Sequence, residues 1–512
     1  MGCSIRMAPA LGALAGVVLA AAVPWGGAAA QKSGGILKMQ EYANPPGPSI
    51  HEEAALAAVV PFMSVFNNLV KFDQQASQET TETIQPELAS EWRWSEDGTK
   101  LTFKLREGVK WHDGKPFTAA DVKCTFDMLM EKSETQKLRR NPRGSWYKNV
   151  EAVTPNGDFE VTFELGRRQP SLLNLLASGY SPIYSCHVPP ADMRSHPIGT
   201  GPFKFVSFRQ NESITLTKNE DYWREGLPYL DGIEFSIIAS QSTRILSFIA
   251  GEHDMTFPMD VSVPLLKDVQ SQAPQAQCTL RPTNVTTNLI INSEAPPFDD
   301  PELRRALALT LDREAFNDII NEGKGLIGGT MLPPPAGVWG MPKEMVDTLV
   351  GFGDVEKNRE EARAIMRSKG FGPDNRMKLK VITRNIPTFR NPTVIFLDQL
   401  SHIYIDAEID LIETSIYHTA VFQKRFSVGI NNTGNAIDDP DQNLYEAIPA
   451  GRCATIPAIA IRKWRRSSTS SRPKPTSRSA GSSSGRSTRR CRTRWCGRSS
   501  STAWGQAAGT RM

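Results

Sequence analysis

Between residues 88 and 130 the hydrophobic pattern changes period once, and both halves are legible. Leu101, Phe103 and Leu105 alternate with Thr102, Lys104 and Arg106, the two-residue repeat of a strand with one buried face. The turn dipeptides Asp97-Gly98 and Asp113-Gly114 stand on either side of it. Apolar residues then recur at helical spacing as Val122, Phe126, Leu129 and Met130, with Thr118 placed three residues before Asp121 as in a capping box. Further along, Gly199-Thr200-Gly201-Pro202-Phe203 supplies glycines for a tight turn, and Ile214 and Leu216 follow at strand spacing. Leu246, Ile249 and Ala250 predict a helix ending at Gly251. Asp300-Pro301 opens a helix with Leu303, Ala306, Leu307 and Thr310 on one face. Asp312 caps the next, carrying Ala315, Phe316, Ile319 and Ile320. Glu360 to Lys369 is a third helix, stopped by Gly370, and Leu379, Val381 and Thr383 resume a strand. Strands and helices alternating on this scale predict an α/β fold.

At 512 residues the chain is long enough for two or three domains, and it has no long apolar run after its amino terminus. Arg6, an apolar stretch from Ala8 to Val23 and Ala28-Ala29-Ala30 have the charged start, short hydrophobic region and small-residue end of a secretory signal peptide, so the mature chain is expected to begin near Gln31. Cys3 precedes the hydrophobic region, which gives no support to a lipid-anchored cysteine at the cleavage site. The expected location is the periplasm.

The formal charge of +4 hides two unlike parts. Residues 453–512 hold fourteen Lys or Arg and no Asp or Glu, leaving 45 basic against 55 acidic residues before them. An acidic body gives no reason to expect nucleic-acid binding. The basic segment, rich in Ser, Arg, Gly and Pro, has three readings: a nucleic-acid tail, a disordered solvated tail, or a shifted reading frame. Bases that can encode Ala454 to Trp464, read two positions later, give NYTGYCNPEV. Sequencing the gene decides the third reading: it requires an uninterrupted acidic, helix-forming continuation in another frame.

Trp94, Asp97-Gly98, Leu105-Arg106, Gly108-Val109, His112-Asp113-Gly114, Pro116-Phe117-Thr118-Ala119 and Asp121-Val122 together resemble the signature of the family 5 extracellular solute-binding proteins, periplasmic receptors of ABC importers. Asn219-Glu220-Asp221-Tyr222-Trp223, Pro228-Tyr229-Leu230-Asp231 and Ile233-Glu234-Phe235 continue the resemblance, and the shifted-frame peptide is similar to the family's Tyr-Cys-Asn-Pro-Glu region. The resemblance implies a two-lobed periplasmic binding protein with an extra subdomain, the type II, cluster C architecture, here with an atypical, disordered carboxyl-terminal segment. It implies a signal peptide at 1–30, a discontinuous lobe I at 31–62 and 196–275, a subdomain at 63–195, a truncated lobe II at 276–452 and an aberrant tail at 453–512.

The implied function is physical rather than chemical: capture of a peptide or related polar solute between the lobes and delivery to an ABC permease of the inner membrane, by a monomer without catalysis or cofactor. The expected ligand-binding residues are Asn435, Asp438, Asp439, Trp339, Arg384 and Tyr417. In the peptide receptors that the chain resembles, a carboxylate lies just before the Asp-Pro element, and Asn435 or Asp438 takes that place depending on a one-residue gap. A neutral Asn there weakens the case for a free-amine peptide. The plainer alternative is that Asp438 and Asp439 cap a turn before Pro440. Asn44 to Ser49 and Arg384 to Pro387 suit a cleft as polar, backbone-rich loops.

Other chemistry has little support. The seven histidines include no i, i+4 pair, so no intrinsic metal site is expected. A receptor for a nickel complex, with His418 as its donor, is the alternative within the class. A secreted hydrolase is the alternative outside it, but Gly-x-Ser-x-Gly is absent. Cys124, Cys186 and Cys278 are the thiols of the mature body, with Cys453 at the edge of the tail, and their connectivity stays open.

Overall fold

The structure is a computed structural model and describes residues 2–5, 32–76, 79–257, 260–279, 285–329, 337–434, 437–439, 441 and 510–511. Three larger sheets of four, six and four strands, each with its own core, organise the described chain, beside two two-stranded ones.

In the amino-terminal body, strand Ile36–Glu41 lies parallel to Gly232–Ile237, which continues antiparallel through Ser213–Lys218 to Phe203–Arg209. Ile214, Leu216, Ile233 and Phe235 point into a core shared with Ile50, Phe62 and Phe66. The glycines of the Gly199-Thr200-Gly201 segment serve a close approach rather than the tight turn expected of them. A Cβ at Gly199 would stand 1.9 Å from the Val65 carbonyl oxygen, and one at Gly201 would stand 2.4 Å from that of Ser64.

The inserted body is an antiparallel sheet in the order Ala89–Trp94, Lys100–Leu105, Glu160–Leu165, Val150–Pro155. Leu101, Phe103 and Leu105 are buried as their alternation predicts, and Lys104 is exposed. Thr102 is buried as well, because its hydroxyl meets that of Thr162 across the strands at 2.9 Å. The helix Ala119–Leu129 begins at the predicted capping box: the Thr118 N–H donates to Asp121 Oδ2 at 3.0 Å, and the Thr118 side chain answers the third helical amide. The second Asp121 oxygen accepts from the Cys186 N–H at 2.9 Å. A disulfide joins Cys124 on this helix to Cys186. The inserted body is fastened to the amino-terminal one by charge: both Glu52 oxygens accept from the Arg194 guanidinium, at 2.7 and 2.9 Å, and Glu53 pairs with Arg140 at 2.6 Å.

In the carboxyl-terminal body, Val285–Ile291 runs antiparallel to Val428–Gly434, which lies parallel to Met377–Arg384, itself parallel to Ile405–Ile412. Helix Pro387–Ser401 makes the crossover between the last two. Helices Pro301–Thr310 and Arg313–Asn321 start where Asp300 and Asp312 predict, each aspartate accepting from a first-turn N–H at 2.9 Å. The predicted third helix starts earlier than Glu360, as Val355–Ser368, because Asp354 caps it.

Two predicted faces are corrected. Arg313–Asn321 buries Arg313, Asn317 and Asn321, while Ile319 is exposed. The polar side chains turn inward because they serve loop backbone: Asn317 holds both the N–H and the carbonyl of Gly325, and Arg313 donates to Leu311 and Gly351 carbonyls. Helix Gln241–Ile249 buries Arg244, Ile245, Ser247 and Phe248 and leaves Leu246 exposed.

Gly2–Ile5 pairs with Ala276–Thr279, and the remainder of the expected signal peptide lies outside the described residues. Of residues 453–512 only Thr510–Arg511 is described, a two-residue strand set between Leu326–Ile327 and Val285–Ile291. The expected disorder of the rest also falls outside the described residues.

Candidate functional site

Along Met377–Arg384 the residues alternate buried and exposed until Val381, after which Ile382, Thr383 and Arg384 are all buried. The strand has there passed from a surface with one wet face into the contact between bodies. On the far side of that contact, Ile386 packs against a cluster made by Tyr42, Ala57 and Phe257 of the amino-terminal body. Ile437, at 1% exposure, sits in the core of the inserted body, and Ser171 of that body donates to Asp441 Oδ2 at 2.6 Å. The carboxyl-terminal body therefore meets both others along one seam.

Arg384 stands on this seam at 4% exposure. Its guanidinium carbon lies 3.5 Å from the Phe389 ring centre and 5.3 Å from that of Tyr417. One terminal nitrogen donates to Asn431 Oδ1 at 2.7 Å, and among the described residues Nε has no hydrogen-bond partner and no carboxylate pairs with the guanidinium. Burial pulls its pKa down, and the facing Tyr42 and Tyr417 hydroxyls act in the other direction. Burial raises both of those hydroxyls above the ordinary tyrosine range.

Tyr417, expected as a cleft-lining platform, is fully buried with Ile290 and Ile382 in the carboxyl-terminal body, and its hydroxyl donates to the Ile430 carbonyl at 3.4 Å. Its place is beneath Arg384, where it supports the guanidinium. Trp339 keeps 39% exposure beside Val338, whose N–H donates to Asp438 Oδ2 at 2.8 Å. That bond brings the Trp339 segment to the Asp438-Asp439 loop, and it means Asp438 ties two loops together. Asp439 does act on the turn, accepting from the Asp441 N–H at 2.8 Å. Burial, and then the neighbouring charges of Asp441 and Asp438, push the Asp439 carboxyl up to about 6. Asn435 lies outside the described residues. In the 44–49 loop, Asn44 accepts from the Asn211 N–H at 2.8 Å within the amino-terminal body.

Three seam residues were missed by sequence reasoning: Glu41, Tyr42 and Arg140. Glu41 Oε1 accepts from the Tyr42 and Ala43 amides at 2.8 and 3.3 Å while Oε2 has no partner, and burial holds the carboxyl well above the usual range. The one local signal was a polar pair, Gln40-Glu41, ending a strand that otherwise reads as half-buried. His418 is half-buried on the helix Thr414–Phe422 with its ring edge-on to Tyr417 at 5.6 Å; its Nε2 has no partner, and burial pushes the imidazole down to about 3. Away from the seam, a cavity of about 400 Å³ lies between the amino-terminal and inserted bodies, lined in part by Phe66, Lys71, Glu87, Tyr222 and Arg224. No cluster of three His, Cys, Asp or Glu side chains suited to a metal ion occurs among the described residues.

The profile of the bacterial extracellular solute-binding proteins, family 5 middle, matches residues 83–450. The chain belongs to this family. Among curated relatives, this family 5 protein is 25% identical over 401 residues to heme-binding protein A of Haemophilus influenzae, covering 74% of this chain and 70% of that one. It is 27% identical over 327 residues to the oligopeptide-binding protein AppA of Bacillus subtilis, a match of 61% of this chain to 55% of AppA, so the alignment spans little more than half of that relative. Among solved structures, the periplasmic binding protein DppA of Helicobacter pylori in complex with the peptide STSA superposes with a TM-score of 0.70 at 23% identity, over 81% of each chain. The fold is thus the two-lobed α/β periplasmic binding protein fold. These relatives are binding proteins by name, and none of the names describes a reaction.

Proposed function

We propose that this protein captures a peptide or closely related zwitterionic solute at the seam between its lobes and hands it to an ABC permease of the inner membrane, acting in the periplasm as a monomer without catalysis. The moving bodies are those expected from the sequence, with lobe I at 31–62 and 196–275, the subdomain at 63–195 and lobe II from 276.

One observation carries the reading. Arg384 is a buried cation on the seam with an unused Nε and no carboxylate partner among the described residues. A buried charge in that state is costly until an anion meets it, which is what a ligand carboxylate supplies. Asp439 is the opposite pole: a half-buried carboxyl made reluctant to ionise by desolvation and then by two neighbouring aspartates, a position that a ligand ammonium relieves. A solute satisfying both poles favours the closed arrangement of the lobes. Moving such an equilibrium from mostly open to mostly closed takes a preference of about 10⁴-fold, roughly 5.5 kcal/mol. Relatives that are named for binding oligopeptide and the STSA complex support the peptide class.

The test is calorimetry with a free-terminus dipeptide. With the ligand-free Asp439 carboxyl at about 6, an ammonium binding below that pH must first displace a proton, so affinity falls toward tenfold per pH unit as pH drops from 6. Asp439→Asn is expected to weaken binding by about 10- to 150-fold, the worth of a hydrogen bond to a charged group, and to flatten the pH profile. Its ligand-free melting temperature should hold or rise at pH 7.5, because the folded state no longer confines that carboxylate. A pH-independent affinity in the parent protein removes Asp439 from the site. Failure of every free-terminus peptide to bind, with capture of a metal complex or porphyrin instead, overturns the peptide class.

A further inference from the structure

Among the described residues, three buried nitrogens near the seam have no hydrogen-bond partner: Arg384 Nε, Arg140 Nε and His418 Nε2. They belong to three separate segments, the end of Met377–Arg384, the 139–143 loop of the inserted body and the helix Thr414–Phe422. Each has its other contacts filled in a way that leaves this atom over. Arg140 gives a terminal nitrogen to Glu53 Oε1 at 2.6 Å, Arg384 gives one to Asn431, and the His418 ring rests edge-on against Tyr417, on whose ring Arg384 also leans. Arg384 and Arg140 are the charges that act on the His418 imidazole, and no carboxylate is among them.

An unmade hydrogen bond on a buried polar nitrogen is costly, so three on segments whose charges act on one another are a concentrated cost that the fold alone does not offset. Arg384 needs one acceptor, which the proposed function assigns to a terminal carboxylate. Arg140 Nε, and His418 Nε2 in the tautomer that carries its proton there, then still face a second acceptor, and the charges acting on His418 are those of Arg384 and Arg140. Glu41, whose Oε2 lacks a partner among the described residues, is no rival for that acceptor: its charge interactions run to Asp260 and Arg244, and burial raises its carboxyl well above the usual range.

We infer that His418 and Arg140 form a second anion subsite beside Arg384, and that the solute is a small peptide or peptide-like molecule carrying an acidic side group as well as its terminal carboxylate. This inference rests on the zwitterion reading above and narrows it. His418 and Arg140 are thereby specificity-determining residues, reached from the subdomain and from lobe II at once. An acidic side group bridges two bodies that a neutral one would leave unlinked.

The experiment is isothermal titration of the full chain at pH 7.5 with the dipeptides Ala-Glu and Ala-Gln, which differ by one side-chain carboxylate oxygen replaced with an NH2 group. Ala-Glu is expected to bind at least tenfold tighter. His418→Leu should cut that ratio to about twofold. Arg140→Lys, which keeps a cation for Glu53 and so protects the fold while deleting Nε, should cut it to roughly threefold. Equal binding of the two dipeptides to the parent protein overturns the acidic subsite and leaves zwitterion capture standing. A tenfold ratio that survives both substitutions places the preference elsewhere and also overturns it. Binding of neither dipeptide, nor of Ala-Ala, defeats the zwitterion reading and this one with it.

Discussion

Asp260→Ala is expected to lower the folding stability of the amino-terminal body by about 3–5 kcal/mol, the cost of removing one partner of a buried ion pair. Arg244 and Asp260 side chains are 1% and 6% exposed and meet through two parallel bonds of 2.7 Å each. The remaining guanidinium nitrogen serves the carbonyls of Ile238 and Ala239, and the Arg244 carbonyl in turn accepts from Gln40. Each nitrogen of this guanidinium is therefore committed, and deleting the carboxylate strands a full charge in the core. Exchanging both partners for apolar side chains, as Arg244→Met with Asp260→Leu, should recover most of the loss, because the desolvation term disappears with the charges. Urea unfolding with an unchanged slope checks both results. A loss below 1 kcal/mol for Asp260→Ala would mean that the pair is solvated. The pair matters to the seam because both residues act on Glu41, which precedes Tyr42.

How far the sequence foretold this molecule depends on how local each feature is. The strand through Leu101, Phe103 and Leu105, the Thr118 and Asp121 cap and the caps at Asp300 and Asp312 are decided within a few residues, and all of them are present. The buried face of Arg313–Asn321 was misjudged because its polar residues are consumed by the backbone of a following loop, which side-chain hydropathy does not encode. Tyr417 was assigned to the cleft for its chemistry, but its depth in the core is set by Ile290 and Ile382, contributed by two other strands. At the seam, Asp439 was singled out beforehand by position in a resemblance, and Arg384 as the start of a polar, backbone-rich segment. Tyr42, Arg140 and the Arg244 to Asp260 pair were not, since each acquires its role only from a partner far along the chain or across a body boundary.

Arg384→Met is the substitution expected to cost most in binding, about 2–5 kcal/mol or roughly 30- to 5,000-fold, as for truncating one partner of a buried charged contact. The ligand-free protein should melt within about 1 kcal/mol of the parent. Two terms oppose each other there: the stacking on Phe389 and Tyr417 is worth about 1–2 kcal/mol and is lost, while the orphaned Nε, a cost of about 1–3 kcal/mol, is removed. Methionine keeps the unbranched stem against both rings, so packing is nearly conserved. The deciding comparison pairs the substitution with a dipeptide whose carboxyl terminus is amidated. If Arg384 meets that carboxylate, the parent protein loses affinity for the amidated peptide by a similar factor, whereas Arg384→Met no longer tells the two peptides apart, a coupling that a merely structural role would not produce. Arg384→Lys should restore part of the discrimination as a point charge lacking the planar fork. Equal discrimination by parent and Arg384→Met would remove this arginine from ligand contact and leave its burial to be explained by Asn431, the Tyr42 hydroxyl and the two rings.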